Sequence, residues 1–152
     1  MRTIPKRKKN PIGKVTLRPA MDADASFARD AHNAAFHDVV VKQFGSWTKD
    51  KQDHYFELSW NSAKMTIIEL DGAPCGYARI DDFSMEIRIQ QLVVSPQFQR
   101  RGVGSYVLKQ LQDKAHQHNK LLTLRVLHKN QAIKLYARLG FKTTIKIGRA
   151  HV

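Results

Sequence analysis

The sequence predicts an α/β fold (α+β in some schemes): a single domain with a mixed, mostly antiparallel central sheet and helices on both faces. Three observations carry this. β-branched, alternating segments and helical-period segments follow one another as β-α-α-β-β-β-α-β-α-β. The 152-residue chain, 42% hydrophobic and 26% charged, has the size and balance of one globular domain. Its longest strand runs through Leu92-Val93-Val94 into a glycine-bearing loop that opens a helix.

In order, Val15-Thr16-Leu17-Arg18-Pro19 alternates and is β-branched, a first strand ended by proline. Asp22 and Asp24 offer N-caps for an Ala-rich helix that Gly45-Ser46 breaks, and Trp47 to Trp60 forms a second helix. Residues 27 to 60 hold seven of the 13 aromatics together with five acids. They read as core contacts, with a few left to line a pocket for a cationic acceptor. Lys64 to Leu70 and Pro74 to Ile80 are strands joined by the hairpin turn Asp71-Gly72, and a further turn falls around Asp81-Asp82. In the strand Met85 to Val94, Met85, Ile87 and Ile89 share one face and Glu86, Arg88 and Gln90 the other, until Gln90-Gln91 breaks the alternation and predicts a β-bulge. Gly104 to His118 is an amphipathic helix, Leu121 to Leu127 an apolar buried strand, and Asn130 caps a helix from Gln131 to Leu139 that Gly140 ends. Phe141 to Ile147 is the last strand, leaving Gly148 to Val152.

The formal charge of +13 invites a polyanion, but its distribution argues otherwise. Residues 1–14 carry six basic side chains and no acid, and they read as a flexible leader ahead of a domain spanning 15–152. They lack the interleaved aromatics of single-strand binders, so nucleic acid is not the expected partner. Cys75 is the sole cysteine, which points to a reducing, cytoplasmic setting and a structural thiol in a strand. No apolar run approaches the length of a membrane span.

The loop after Val94 aims backbone N–H groups, and the positive end of a helix dipole, at one point. An anion fits there, and Arg100 and Arg101 add charge suited to a pyrophosphate. It is not a P-loop, because Gly104-Ser105 has no lysine at the required place. Nor is it the dinucleotide fingerprint, whose third small residue would fall at Val107 rather than where a glycine stands.

The run Leu92, Val93, Val94, then Gln99, Arg100, Arg101, Gly102, Val103, Gly104 and Ser105 resembles the acetyl-CoA signature of the GNAT superfamily of N-acyltransferases: Gln or Arg, two residues, Gly, one residue, Gly or Ala. Asn130 to Phe141 is similar to the family's Asn…Ala…Leu-Tyr…Gly-Phe segment, and Val15 to Ala20 to its first strand. The resemblance spans about residues 15 to 148 and implies a sheet of six to seven strands. It implies acetyl-CoA as co-substrate and no metal, the pyrophosphate resting on the N–H groups of Gln99 to Gly104. Pantetheine would pair with the backbone of Leu92 to Val94 and touch Asn130. It further implies direct attack of a primary amine, of a small molecule or a protein, on the thioester in a ternary complex. An N–H near Val94 would polarise the carbonyl, and Tyr136 would donate to the leaving thiolate.

Three departures qualify the carry-over. Many relatives place a glutamate base six residues before the valine, where this chain has Arg88, so Glu86 is the substitute candidate. Asn130 lies six residues before Tyr136 where many members have seven. Only five residues follow Ile147, so the sheet edge is left to a vestigial strand, a cut chain or a partner copy in a homodimer. An alternative reading is therefore an acyl-CoA-binding or sensing module without turnover.

Overall fold

The computed structural model describes residues 13–125 and 133–141. Five strands form one sheet in the order β1 (Val15–Pro19), β2 (Met65–Leu70), β3 (Ala73–Asp82), β4 (Glu86–Val94) and β5 (Leu121–Leu124). The first four are antiparallel neighbours and β5 is parallel to β4, as a mixed, mostly antiparallel sheet requires. The predicted sixth strand, along with the leader and Asn130, lies outside the described residues.

Local chemistry explains the joints. Asp71 (φ 53°) and Gly72 (φ 84°) are both left-handed, which fits the right-handed twist of the β2–β3 hairpin. Helix α1 (Ala25–Phe44) ends where Gly45 adopts φ 87° and donates its N–H to the carbonyl of Val41. Asp24 was expected to cap α1 with its side chain and does not. Its carboxylate instead accepts from the Met21 N–H and from both terminal nitrogens of Arg18, because Arg18 leaves β1 pointing at it. Helix α2 (Lys49–Ser59) follows, and no described helix is long and apolar enough to cross a membrane.

Two apolar layers form, one on each face of the sheet. Helix α3 (Val103–Gln117) buries Val103, Val107, Leu108 and Leu111 against Ile68, Cys75, Ala78, Ile89 and Leu124, and Tyr136 of α4 (Ile133–Arg138) joins them. On the other face α1 and α2 bury Ala28, Ala31 and Phe56 against Met65, Ile67, Tyr77 and Val93.

The register of β4 explains how it serves both layers. Arg79 pairs with Gln91 and Ile80 with Ile89, so Gln90 is an extra residue, the bulge that the broken alternation predicted. The extra residue resets the parity of the strand. Leu92 and Val94 therefore join Ile89 on the α3 face, while Val93 turns to the α1 face.

Two side-chain assignments need correction. Met85 does not share the buried face of Ile87 and Ile89: it precedes the strand and is 71% exposed. The segment after Asn119 is not buried throughout, since Leu121 is 70% exposed, Leu124 is fully buried and Leu122 packs half-buried against the core. As the last described strand, β5 lacks the second neighbour that a fully buried strand would have.

Candidate active site

The site is built where β4 ends. Along one edge, Leu92, Val93 and Val94 pair with Ala78, Tyr77 and Gly76 of β3. Along the other, β4 pairs with β5 only from Glu86 to Ile89, and the Arg125 N–H closes the ladder on the Ile89 carbonyl at 3.1 Å. From Gln90 to Val94 that edge has no strand partner among the described residues. Among the described residues this leaves about 16 Å of β4 edge without a strand partner.

The bulge lies just past the last described β4–β5 pair, Ile89 and Leu124. The Gln90 amide donates to Asp81 Oδ2 at 3.0 Å, and its oxygen accepts from Arg125 at 3.1 Å, so one side chain ties β3, β4 and the end of β5 together. Gly76 allows β3 and β4 to approach closely here. A Cβ on it would stand 2.3 Å from the Val93 carbonyl oxygen.

The loop follows from a chain of short-range bonds. Ser95 is buried and donates its N–H to the Cys75 carbonyl at 2.8 Å. Pro96–Phe98 makes one 3₁₀ turn, and the Gln99 side chain donates back to the Val94 carbonyl at 2.8 Å. Arg100 (φ 63°) and Gly102 (φ 83°) are both left-handed. A non-glycine residue in that region costs about 1–2 kcal/mol, a strain of the kind that clusters at binding sites. Helix α3 then starts without any side-chain cap, and the Tyr106 N–H is the first to reach a carbonyl, that of Gly102, at 2.9 Å.

Among the described residues, the N–H groups of Arg100, Arg101, Gly102, Val103, Gly104 and Ser105 have no acceptor. Gln99 differs from expectation, because its own N–H donates to the Pro96 carbonyl and is unavailable to a ligand. Its contribution is to clamp the loop to the strand. A Cβ at Gly104 would meet nothing within 4 Å, so neither packing nor a left-handed backbone requires glycine there. The free N–H groups, the dipole of a 15-residue helix and the open space above Gly104 fit a bound anion. The Arg101 guanidinium lies over the Phe98 ring, 5.6 Å from its centroid.

The other candidates are placed unequally. Tyr136 is 7% exposed and packs with the α3-side core, its ring edge-on to Phe141. Burial pushes its phenol up to about 12. Glu86 is not brought to the open edge: it lies eight residues before Val94, roughly 26 Å along an extended strand. There it accepts two hydrogen bonds from Arg88 at 3.0 Å and another from Thr123. Cys75 is fully buried, and desolvation raises its thiol to about 11, as a structural thiol requires.

Of the five acids between residues 27 and 60, Asp53 accepts from Lys49 and Asn33, Asp38 lies 3.1 Å from His37 Nδ1, and Asp30 lies 3.9 Å from Arg29 Nε. Of the aromatics in the same region, Phe27, Phe36, Phe56 and Trp60 pack on the α1-side core, whereas Phe44 and Tyr55 are exposed. The polar residues that gather on the α1 face beyond this core were not singled out by sequence reasoning: Arg79, Asp81 and Arg125. Strand alternation from the buried Tyr77 was the available signal, but it could be used only with the register in hand.

Comparison with known proteins agrees with this architecture. The sequence pattern of the Acetyltransferase (GNAT) domain matches residues 61–143, from the turn before β2 to just past α4. A comparison with curated protein sequences finds no match. Among solved structures, the chain is similar to the PaiA N-acetyltransferase of Thermoplasma acidophilum in complex with coenzyme A, with TM-score 0.72, 12% identity, and coverage of 91% of this chain and 96% of that one. It is also similar to the ribosomal-protein-S18-alanine N-acetyltransferase of Escherichia coli (TM-score 0.57, 19% identity, 91% and 88% covered). A third similar structure is the N-acetylglutamate synthase of Neisseria gonorrhoeae complexed with coenzyme A and N-acetyl-glutamate (TM-score 0.53, 24% identity, 88% and 29% covered). At these identities the structures speak for the fold, and the domain match over more than half the chain for the family. With the glycine loop at the end of β4 and the matched domain, this chain belongs to the GNAT family of acetyltransferases.

Proposed function

We propose that the chain is an N-acetyltransferase that moves an acetyl group from acetyl-CoA to a primary amine within a ternary complex. The observation that carries this is the uncapped start of α3, with its free N–H groups, beside an edge of β4 that has no strand partner among the described residues. The N–H groups of Arg100 to Ser105 hold the pyrophosphate, and Leu92 to Val94 offer backbone groups to the amide-bearing pantetheine arm. Two similar structures are of proteins bound to coenzyme A, which supports the same ligand here.

Tyr136 acts as a hydrogen-bond donor to the leaving sulfur. With its phenol near 12, complete proton transfer to a thiolate near 8.5 is uphill by about 5 kcal/mol, so donation stabilises the thiolate without ionising the phenol. An N–H near Val94 polarises the thioester carbonyl. Glu86, held by Arg88 and Thr123, does not take the role of base in this reading, and the amine loses its proton to solvent. That same engagement favours the second reading, a module that binds acyl-CoA without turnover.

Calorimetric titration with CoA, followed by a free-thiol release assay over a panel of amines, separates the two. CoA binding with amine-dependent thiol release is the expected result. Binding without release by any amine establishes the second reading, and absence of binding refutes both.

A further inference from the structure

The register that carries Tyr77 and Val93 into the α1-side core carries the next residues out of it on the same face. Those residues are Arg79 and Asp81 on β3, Gln91 and Arg88 on β4, and Arg125 beyond β5. They surround the bulge at Gln90, next to the last described pair of β4 and β5, Ile89 and Leu124. Three arginines face two acids, Asp81 and Glu86, and the acids are engaged: Asp81 accepts from Gln90, and Glu86 from Arg88 and Thr123. Arg88 is spent on Glu86 and lies over the Phe83 ring, and Arg125 donates to Gln90.

Arg79 differs. Its Nε is buried and has no hydrogen-bond partner among the described residues. The nearest carboxylate oxygen, Asp81 Oδ1, stands at 3.8 Å, too far for a hydrogen bond. A buried guanidinium N–H without an acceptor is costly, and a partner that supplies the missing acceptor, such as a bound anionic group, would relieve that cost. Arg79 pairs with Gln91 directly beside the bulge, and its side chain is 30% exposed, so an incoming group can reach it.

We propose that Arg79 binds a carboxylate carried by the acceptor, so that the amine acetylated belongs to an amino-acid-type substrate. The proposal rests on the acetyl-transfer reading. Arg79 takes no part in the reaction, in which the neutral amine nitrogen bonds to the acyl carbon, the carbon–sulfur bond breaks, CoA leaves as a thiolate, and the proton lost by the nitrogen passes through solvent to that thiolate. It binds the acceptor's far end with a planar pair of N–H donors that matches a carboxylate.

The test compares each of the twenty amino acids with its carboxamide in the thiol-release assay, using the full chain saturated with acetyl-CoA. For at least one pair, kcat/KM of the acid exceeds that of the amide by about tenfold or more, as a lost charge-assisted hydrogen bond requires. In Arg79→Ala that preference collapses through KM, CoA affinity by calorimetry is unchanged, and Arg79→Lys restores part of it. Equal use of acids and amides, use of amides alone, use of neither, or a preference that survives in Arg79→Ala overturns the proposal. Failure of the wild type to bind CoA refutes the underlying reading instead. The wild-type comparison stands even if the variants fold poorly.

Discussion

Gly104→Asp should make the free protein more stable while destroying its affinity for CoA. A side chain at position 104 enters open space, and Gly104 is not among the left-handed residues, so the substitution meets no steric resistance. It lies in the first turn of α3, where replacing glycine removes part of its helix penalty and a carboxylate interacts with the helix dipole. Together these stabilise by about 0.5–1.5 kcal/mol, or roughly 1–6 °C in Tm for a chain of this size. In the complex the same carboxylate stands against the pyrophosphate. Two unit charges about 4 Å apart at an effective dielectric near 20 repel by about 4 kcal/mol, which is close to a thousandfold in Kd. Thermal unfolding of the apo-protein and calorimetric titration with CoA measure the two effects separately. Gly104→Ala is the control: it gains stability without the charge and keeps most of the affinity. A Gly104→Asp protein that binds CoA within threefold of wild type would remove the anion from the first turn of α3. One that is less stable than wild type would show that the fold itself needs the glycine.

Gly76→Ala places a methyl 2.3 Å from the Val93 carbonyl oxygen, so β3 and β4 must part by about 1 Å. It should cost about 2–3 kcal/mol, lower Tm by several degrees, and weaken CoA binding along the adjoining strand edge, all visible in the same two assays. Tyr136→Phe should lower kcat about tenfold or more and leave CoA affinity within twofold. Because burial raises the Tyr136 phenol from 10 to about 12, the wild type binds that proton more tightly folded than unfolded. This contribution is intact below pH 10 and is lost as pH rises from 10 to 12, so the alkaline decline in Tm should be shallower in Tyr136→Phe. Arg18→Gln strands the Asp24 carboxylate, which has lost most of its water and accepts both Arg18 terminal nitrogens, and should cost about 1–2 kcal/mol after allowance for the partly exposed arginine. Arg18 holds that carboxyl below its ordinary 3.8, so its contribution is present above about pH 4 and fades as pH falls further. Wild type and Arg18→Gln should therefore converge in acid-denaturation curves.

The order of elements was legible because each rests on neighbours in the chain. Alternation marked β1 and β4, Asp71-Gly72 marked the turn between β2 and β3, Gly45 and Gly140 marked helix ends, and the 3.6-residue period marked α3. The bulge was legible for the same reason: Gln90-Gln91 interrupts a local pattern. Misreadings arose where exposure depends on what lies beside an element. Leu121 looks like a core residue, but it sits on the last described strand, and Met85 looks like a strand residue but precedes the ladder. Glu86 was a candidate by residue type alone. Only its distance from the loop and its bonds to Arg88 and Thr123 show what holds it.

The glycine loop was legible as an anion site, since the residues that shape it are consecutive. Which of its donors are free was not. Gln99 spends its N–H on Pro96 and its amide on Val94, and both bonds depend on how the loop folds back onto the strand. By itself, the sequence determined the succession of strands and helices, the turn chemistry and a run of residues suited to hold a pyrophosphate. All of these are set by contacts a few residues apart. The tertiary structure decided that the described β4–β5 pairing stops at Ile89, that an extra residue at Gln90 puts Val94 rather than Val93 on the layer of Ile89, and that Arg79 keeps an unsatisfied N–H beside that bulge. Those properties depend on register between strands far apart in the chain, and a one-residue change in register moves every side chain to the other face.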